Sequence, residues 1–245
     1  MSDTDRPTVL VPLEVLEGES LPEGIPKLLA NAHVVLLGYH VIPGQTAAEQ
    51  AREQFGERAM KKLEEFATTL TGVGATVDTR LVFTHEAQAT IDRVIYEHDC
   101  LAVLVPNGTE GLSSVLVAVR GTVGLDRTAR LVGGLFADTD VEVVLYHILG
   151  DDESEDDAET LLEGATARIV DRGMDAAAVE TLIERPETPI DAIARHAADH
   201  GAVVMGETDP SVTTYVFGMP SEQVAERFLG PVLVVQRERP EADEE

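Results

Sequence analysis

Hydrophobic residues follow two rhythms along this chain. Short runs rich in Val and Leu recur at Thr8–Glu14 (TVLVPLE), Val34–Ile42 (VVLLGYHVI), Ala102–Pro106 (AVLVP), Ser114–Arg120 (SVLVAVR), Val143–Leu149 (VVLYHIL), Ala202–Gly206 (AVVMG) and Pro231–Arg237 (PVLVVQR). Such near-continuous apolar runs are the pattern of strands buried on both faces of a parallel sheet. Between them lie amphipathic stretches. In Ala47–Thr71 the residues Ala51, Phe55, Ala59, Leu63, Phe66 and Leu70 recur every three or four positions, with Glu, Arg and Lys between. Thr188–Gly201 does the same through Ile190, Ile193, Ala194 and Ala197, and Gly201 is expected to end that helix. Strand–helix–strand alternation with right-handed crossovers predicts doubly wound α/β units. Ligands of such sheets bind beyond the carboxyl ends of the strands, where the strand order reverses.

The pattern also repeats. Thr8–Glu14 is echoed by Ser114–Arg120, and Val34–Ile42 by Val143–Leu149, with Tyr39-His40 matching Tyr146-His147. Ile91, Asp92, Val94, Asp99 and Ala102–Pro106 are echoed by Ile190, Asp191, Ile193, Asp199 and Ala202–Gly206. The spacing shortens after the second match, which predicts a shorter helix following Leu149. Three matches in one order point to a tandem duplication. The expected units are residues 8–112 and residues 113–238, followed by a disordered acidic tail, 239–245. The first unit has only Asn107–Leu112 between its fourth strand and the next unit, so it is expected to lack the last helix and strand.

Charge narrows the function classes. Against 45 Asp and Glu stand 18 Lys and Arg, a formal net charge of −27, and only Lys27, Lys61 and Lys62 are lysines. Nucleic acid as a partner is excluded, because its binding needs a basic face that displaces counterions. No apolar run approaches the roughly 20 residues of a membrane helix, so direct membrane insertion is not expected. The N-terminus has no basic segment ahead of an apolar stretch, and Cys100 is the single cysteine; a cytoplasmic protein is expected. At about 1 M salt the Debye length falls to roughly 3 Å, which quiets the self-repulsion of so acidic a surface. An acidic, lysine-poor composition of this kind resembles that of haloarchaeal proteins.

The second unit, read through SVLVAVRGTVGLDRTARLVGGL, VEVVLYHIL, IDAIARHAADHGAVVMGE and FGMPSEQVAERFLGPVLVVQRE, resembles the universal stress protein (UspA) family over residues 114–238. Residues 8–107 resemble it more faintly, through VLVPLE, the strand ending in Tyr39-His40, and the segment Ile91–Pro106. The resemblance implies Rossmann-like domains of five parallel strands and four helices, paired as dimers or fused in tandem. Some members bind ATP at the strand ends, and others act as signalling or protective modules. Related domains are appended to transporters.

ATP-binding members carry Gly-x2-Gly-x9-Gly-Ser/Thr after the fourth strand, where glycines let backbone N–H groups and a helix N-terminus meet phosphate. By that resemblance Gly206 holds the first glycine position, Asp209 replaces the second, and Gly218 holds the third. Met219 stands in place of the hydroxyl, and the spacer Pro210–Phe217 is eight residues long. A carboxylate beside a triphosphate is unfavourable without a bridging Mg²⁺. Arg120 stands where the family has an aspartate near the ribose, and Ile148 matches the position that packs on adenine. No cofactor is therefore expected, with ATP kept as the alternative, and no nucleotide is expected in the first unit.

Arg120 and Gly121-Thr122-Val123-Gly124 sit at a strand-to-helix turn, where Arg and backbone N–H could hold a small anion; a solvated Arg beside a turn glycine is the plainer reading. His196 and His200 have a metal-capable spacing, but no further ligands can be placed. His40 and His147, at equivalent strand ends, are expected to pack and hydrogen-bond there. Cys100 is expected to be a small buried hydrophobe. Tyr215 and Phe217 are expected to anchor their loop. The acidic insert Gly150–Asp157 is expected to cap the next helix in part. No catalytic constellation stands out, so the expectation is a non-catalytic regulatory or protein-interaction module. An ATP-binding switch and a soluble subunit of a membrane transporter are the alternatives. The chain is expected to form a pseudo-dimer within itself, with a protein partner not identified by sequence. A homodimer remains open, because the apolar strand Pro231–Arg237 would otherwise be an exposed edge.

Overall fold

The computed structural model describes residues 6–16, 21–109, 111–150, 152–206 and 230–238. In chain order the elements are β1 (Thr8–Glu14), α1 (Ile25–Leu28), β2 (His33–Val41), α2 (Ala48–Gly72), β3 (Thr76–Thr84), α3 (Ala87–Glu97) and β4 (Ala102–Val105). There follow β5 (Ser114–Val119), α4 (Leu125–Phe136), β6 (Glu142–Ile148), α5 (Glu155–Val170), β7 (Val179–Glu184), α6 (Pro189–Ala197), β8 (Ala202–Gly206) and β9 (Val232–Val235). The nine strands among the described residues join one sheet in the order β3-β2-β1-β4-β9-β8-β5-β6-β7, with helices on both faces. The protein is α/β, with two doubly wound parallel halves.

The apolar runs are strands because each is buried from both sides. Alternate residues of β1 face opposite cores: Val9 and Val11 point to one, Leu10 to the other. One face carries α1, α2, α4 and α5 over a single core that runs continuously across both halves. On the other face α3 and α6 cover two separate cores, one per half. α2 buries Ala51, Ala59, Leu63, Phe66 and Leu70, the stripe legible in its sequence. α5 is 16 residues long against 25 for α2, the shortening that the repeat spacing predicts. Ser154 caps α5 by accepting from the Asp157 N–H at 3.1 Å, with Glu155, Asp156 and Asp157 in the first turn. Their charge suits the positive end of the helix dipole.

Two expectations change. β9 is not an edge: it runs parallel to β8 on one side and antiparallel to β4 on the other. Because the first half contributes no strand after β4, the ladder groups of β4 are met by β9, and the edge argument for a second chain falls away. Gly201 does not end α6, whose C-cap is Ala198. It lies instead where its backbone closely approaches Gly111 and Leu112; a Cβ there would come within 3.0 Å of the Leu112 Cα. Gly201 N–H donates to the Ser114 carbonyl at 2.9 Å, which sets the start of β8 beside β5.

α4 belongs to the second half but also packs on the first. Asn31 Nδ2 donates to the Leu135 carbonyl at 2.9 Å, and Arg127 Nη2 to the Cys100 carbonyl at 3.3 Å. Cys100 is buried, and burial pushes its thiol up to about 12. The 239–245 tail lies outside the described residues.

Candidate functional site

The order of strands reverses at β5, whose parallel neighbours β6 and β8 lie on opposite sides. In an open α/β sheet a crevice forms at the carboxyl ends of the strands where their order reverses. A cavity of about 560 Å³ occupies this point. Its walls include Arg120 and Gly121 just after β5, Ile148 at the end of β6, and Gly206 at the end of β8. Four of the residues singled out from sequence thus meet at one place. Asp209, Gly218 and Met219 lie outside the described residues, as do Tyr215 and Phe217.

Gly124, at φ 80°, supports the turn into α4, a left-handed conformation that costs glycine little. The turn presents Val123 to solvent at 83% exposure on the rim of the cavity. Thr128 and Leu125 of α4 form the wall below it. The cavity mixes an apolar floor with a few polar groups, the ordinary make-up of a small-ligand site.

Two further lining residues, His147 and Glu153, form a pair that spacing alone gave no means of finding. His147 is buried. Its Nδ1 lies 2.7 Å from the Val119 carbonyl, and its Nε2 lies 3.0 Å from Glu153 Oε2. The same carboxylate oxygen accepts the Gly150 N–H at 2.9 Å. That backbone bond, above all, holds the Glu153 carboxyl below the usual carboxylate range, and His147 adds to it. In sequence Glu153 is one acid among many in GDDESEDD.

The packing and hydrogen bonding expected of the two equivalent histidines are divided between them. His147 uses both ring nitrogens. His40 packs edge-on to Phe55 and Phe83, at 6.3 and 6.2 Å between centroids, and its Nδ1 is buried without a hydrogen-bond partner.

On the α6 face, Tyr146 OH donates to Glu184 Oε2 at 2.7 Å, and His196 Nε2 sits 3.0 Å from the same oxygen. Arg195 Nη2 donates to both oxygens of Glu184, at 3.0 and 3.1 Å. Burial and the bond to Glu184 push the Tyr146 phenol well above its ordinary value, against the opposing charges of Arg195 and Arg120. The hydrogen bonds from Tyr146 and His196 hold Glu184 low. His200 faces elsewhere, with Nδ1 2.8 Å from Ser114 Oγ, so the two α6-region histidines do not converge on one ion.

No family model matches the chain, and no curated protein matches it by sequence. Solved structures do. A universal stress protein from Archaeoglobus fulgidus DSM 4304 superposes with a TM-score of 0.62 at 18% identity, over 97% of this chain and 97% of its own. The fold is that of a universal stress protein. A putative universal stress protein from Pseudomonas aeruginosa UCBPP-PA14 aligns over 95% of this chain and 94% of its own, at 17% identity and a TM-score of 0.48. A universal stress protein from Archaeoglobus fulgidus in complex with dAMP aligns over 51% of this chain and 98% of its own, at 21% identity and a TM-score of 0.39. Among the described residues no helix is long and apolar enough to cross a membrane.

Proposed function

We propose that this chain is a tandem member of the universal stress protein family that acts as a non-catalytic regulatory module, sensing a small ligand in its second half and passing that state to a protein partner. The observation that carries the reading is the convergence of Arg120, Gly121, Ile148 and Gly206 on one cavity at the reversal of strand order. Binding rather than turnover is supported by the state of the polar wall. His147 is engaged at both nitrogens and Glu153 is held by Gly150 and His147, so in this closed arrangement neither ring nitrogen is open to a substrate. The acidic, lysine-poor composition supports a cytoplasm of concentrated salt. A membrane transporter is one partner class that fits a soluble regulatory subunit.

Replacement of a phosphate-site glycine by Asp209 and of the hydroxyl by Met219 supports a ligand other than ATP. The test is calorimetry with ATP, with and without Mg²⁺, on protein purified in molar KCl. The reading expects no binding at about micromolar strength, near −8 kcal/mol. Micromolar binding lost in Gly206→Val would instead establish the ATP switch, and nucleotide turnover by the purified chain would overturn the non-catalytic assignment.

A further inference from the structure

The His147–Glu153 contact poses a question of proton count. A carbonyl oxygen only accepts, so His147 Nδ1, 2.7 Å from the Val119 carbonyl, carries a hydrogen. Nε2 faces a carboxylate oxygen at 3.0 Å, and an ionised carboxylate also only accepts. A neutral imidazole protonated at Nδ1 would aim its Nε2 lone pair at that oxygen. One more proton must therefore lie between them, on Nε2 or on Glu153. Glu153 Oε2 already accepts the Gly150 N–H, which favours the ionised carboxylate, so the proton belongs to the ring. The arrangement is an imidazolium–carboxylate pair, with His147 3% and Glu153 28% exposed.

We propose that His147 is a proton-operated latch on this cavity: in its doubly protonated form it clamps Glu153, and through Glu153 the Gly150 N–H, so that Gly150 and Glu153 hold one wall of the site closed. Loss of the Nε2 proton leaves two lone pairs facing each other at hydrogen-bond distance. Glu153, the more exposed partner, then turns toward water, and Gly150 N–H loses its acceptor. Histidine is the side chain that ordinarily changes charge between about pH 5 and 8.

The surroundings bear on that titration. Arg185 holds the same loop, donating to the Gly150 carbonyl at 2.5 Å and the Glu153 carbonyl at 2.8 Å, and so keeps the backbone near when the latch opens. Asp157 of α5 acts on Glu153 in the opposite sense to His147, though its carboxylate accepts from Ser154 Oγ at 2.7 Å. From α4 only Leu125 and Thr128 line the cavity, and Asp126 accepts from Arg168 at 3.0 Å. Just after β5 the neighbouring charge is Arg120, and on β7 the residue in register with His147 is Ile183. Glu184, next along β7, is engaged by Tyr146, His196 and Arg195.

The inference gives the regulation of the site assigned above and rests on that reading only for its consequence to a ligand, because the latch can be read without one. The experiment is amide exchange at Gly150, corrected for intrinsic rate, together with ¹⁵N NMR of the His147 ring in the full chain from about pH 5 to about pH 8.5. Both ring nitrogens are expected to be protonated at the low end. Gly150 protection should fall about tenfold as the Nε2 proton is lost, the size of one hydrogen bond. Glu153→Ala, which removes the oxygen that meets both His147 Nε2 and Gly150 N–H, should leave Gly150 weakly protected throughout, with no pH dependence. A singly protonated His147 throughout, or Gly150 protection that does not change with pH, would overturn the latch. So would a Glu153→Ala protein whose Gly150 is as well protected, or as pH-sensitive, as in the native chain. Failure of ligand binding alone would overturn only the reading of the cavity.

Discussion

Leu233→Ala is the substitution that most directly tests how the sheet is joined. Leu233 lies in β9, opposite Leu104 of β4 and Val204 of β8, with no exposed surface. α4 packs against the same strand. Core Leu→Ala changes cost about 2–5 kcal/mol, less where the surroundings collapse into the gap and more where they cannot. β9 is held by ladders on both sides, so collapse is restricted and the cost should be about 3–4 kcal/mol. For a chain of this size each kcal/mol moves the melting temperature by about 2–4 °C, which predicts a drop of roughly 10 °C. The assay is thermal and urea unfolding followed by circular dichroism at neutral pH in molar KCl. Val123→Ala, at an exposed residue, serves as the control and should stay within about 0.5 kcal/mol of the native chain. A Leu233→Ala loss below about 1 kcal/mol would refute the interior placement of β9.

Two further outcomes follow from charge. Burial holds His200 below its ordinary value against the counter-pull of Asp199, so the native state prefers the neutral ring. The stability this gives is present above the unfolded value of about 6.5 and is lost as pH falls through the depressed native value. His200→Gln should therefore flatten the stability profile just below pH 6.5, and an unchanged slope in urea titrations would count against a desolvated His200. The net charge of −27 predicts that the melting temperature rises between about 0.1 and 1 M KCl, as the Debye length shrinks from about 10 to about 3 Å. A melting temperature insensitive to KCl over that range would remove self-repulsion as the reason for the composition.

The local patterns carried much of the architecture. Seven apolar runs were legible as strands, and each is one, because a strand buried on both faces leaves no place for a polar residue. β3 and β7 carried no such signal: they sit at the two ends of the sheet, where half-exposed positions admit Asp78, Arg80 and Glu180. The meeting of Arg120, Gly121, Ile148 and Gly206 was legible too, since parallel strands bring their carboxyl ends to one rim and the order reverses there.

What tertiary structure alone decided was pairing between distant segments. The sequence of β9 says that it is buried, but not that β4 covers its second edge, because backbone ladders leave no mark on the side chains. Gly201 reads as a helix stop, since a glycine needed for close backbone approach to Gly111 has the same letter. The partnership of His147 with Glu153 was hidden among neighbouring acids, because only the fold sets Val119 and Glu153 as acceptors against the two nitrogens of one ring. Sequence determines which residues must leave water; the register of the sheet decides which groups they meet when they do.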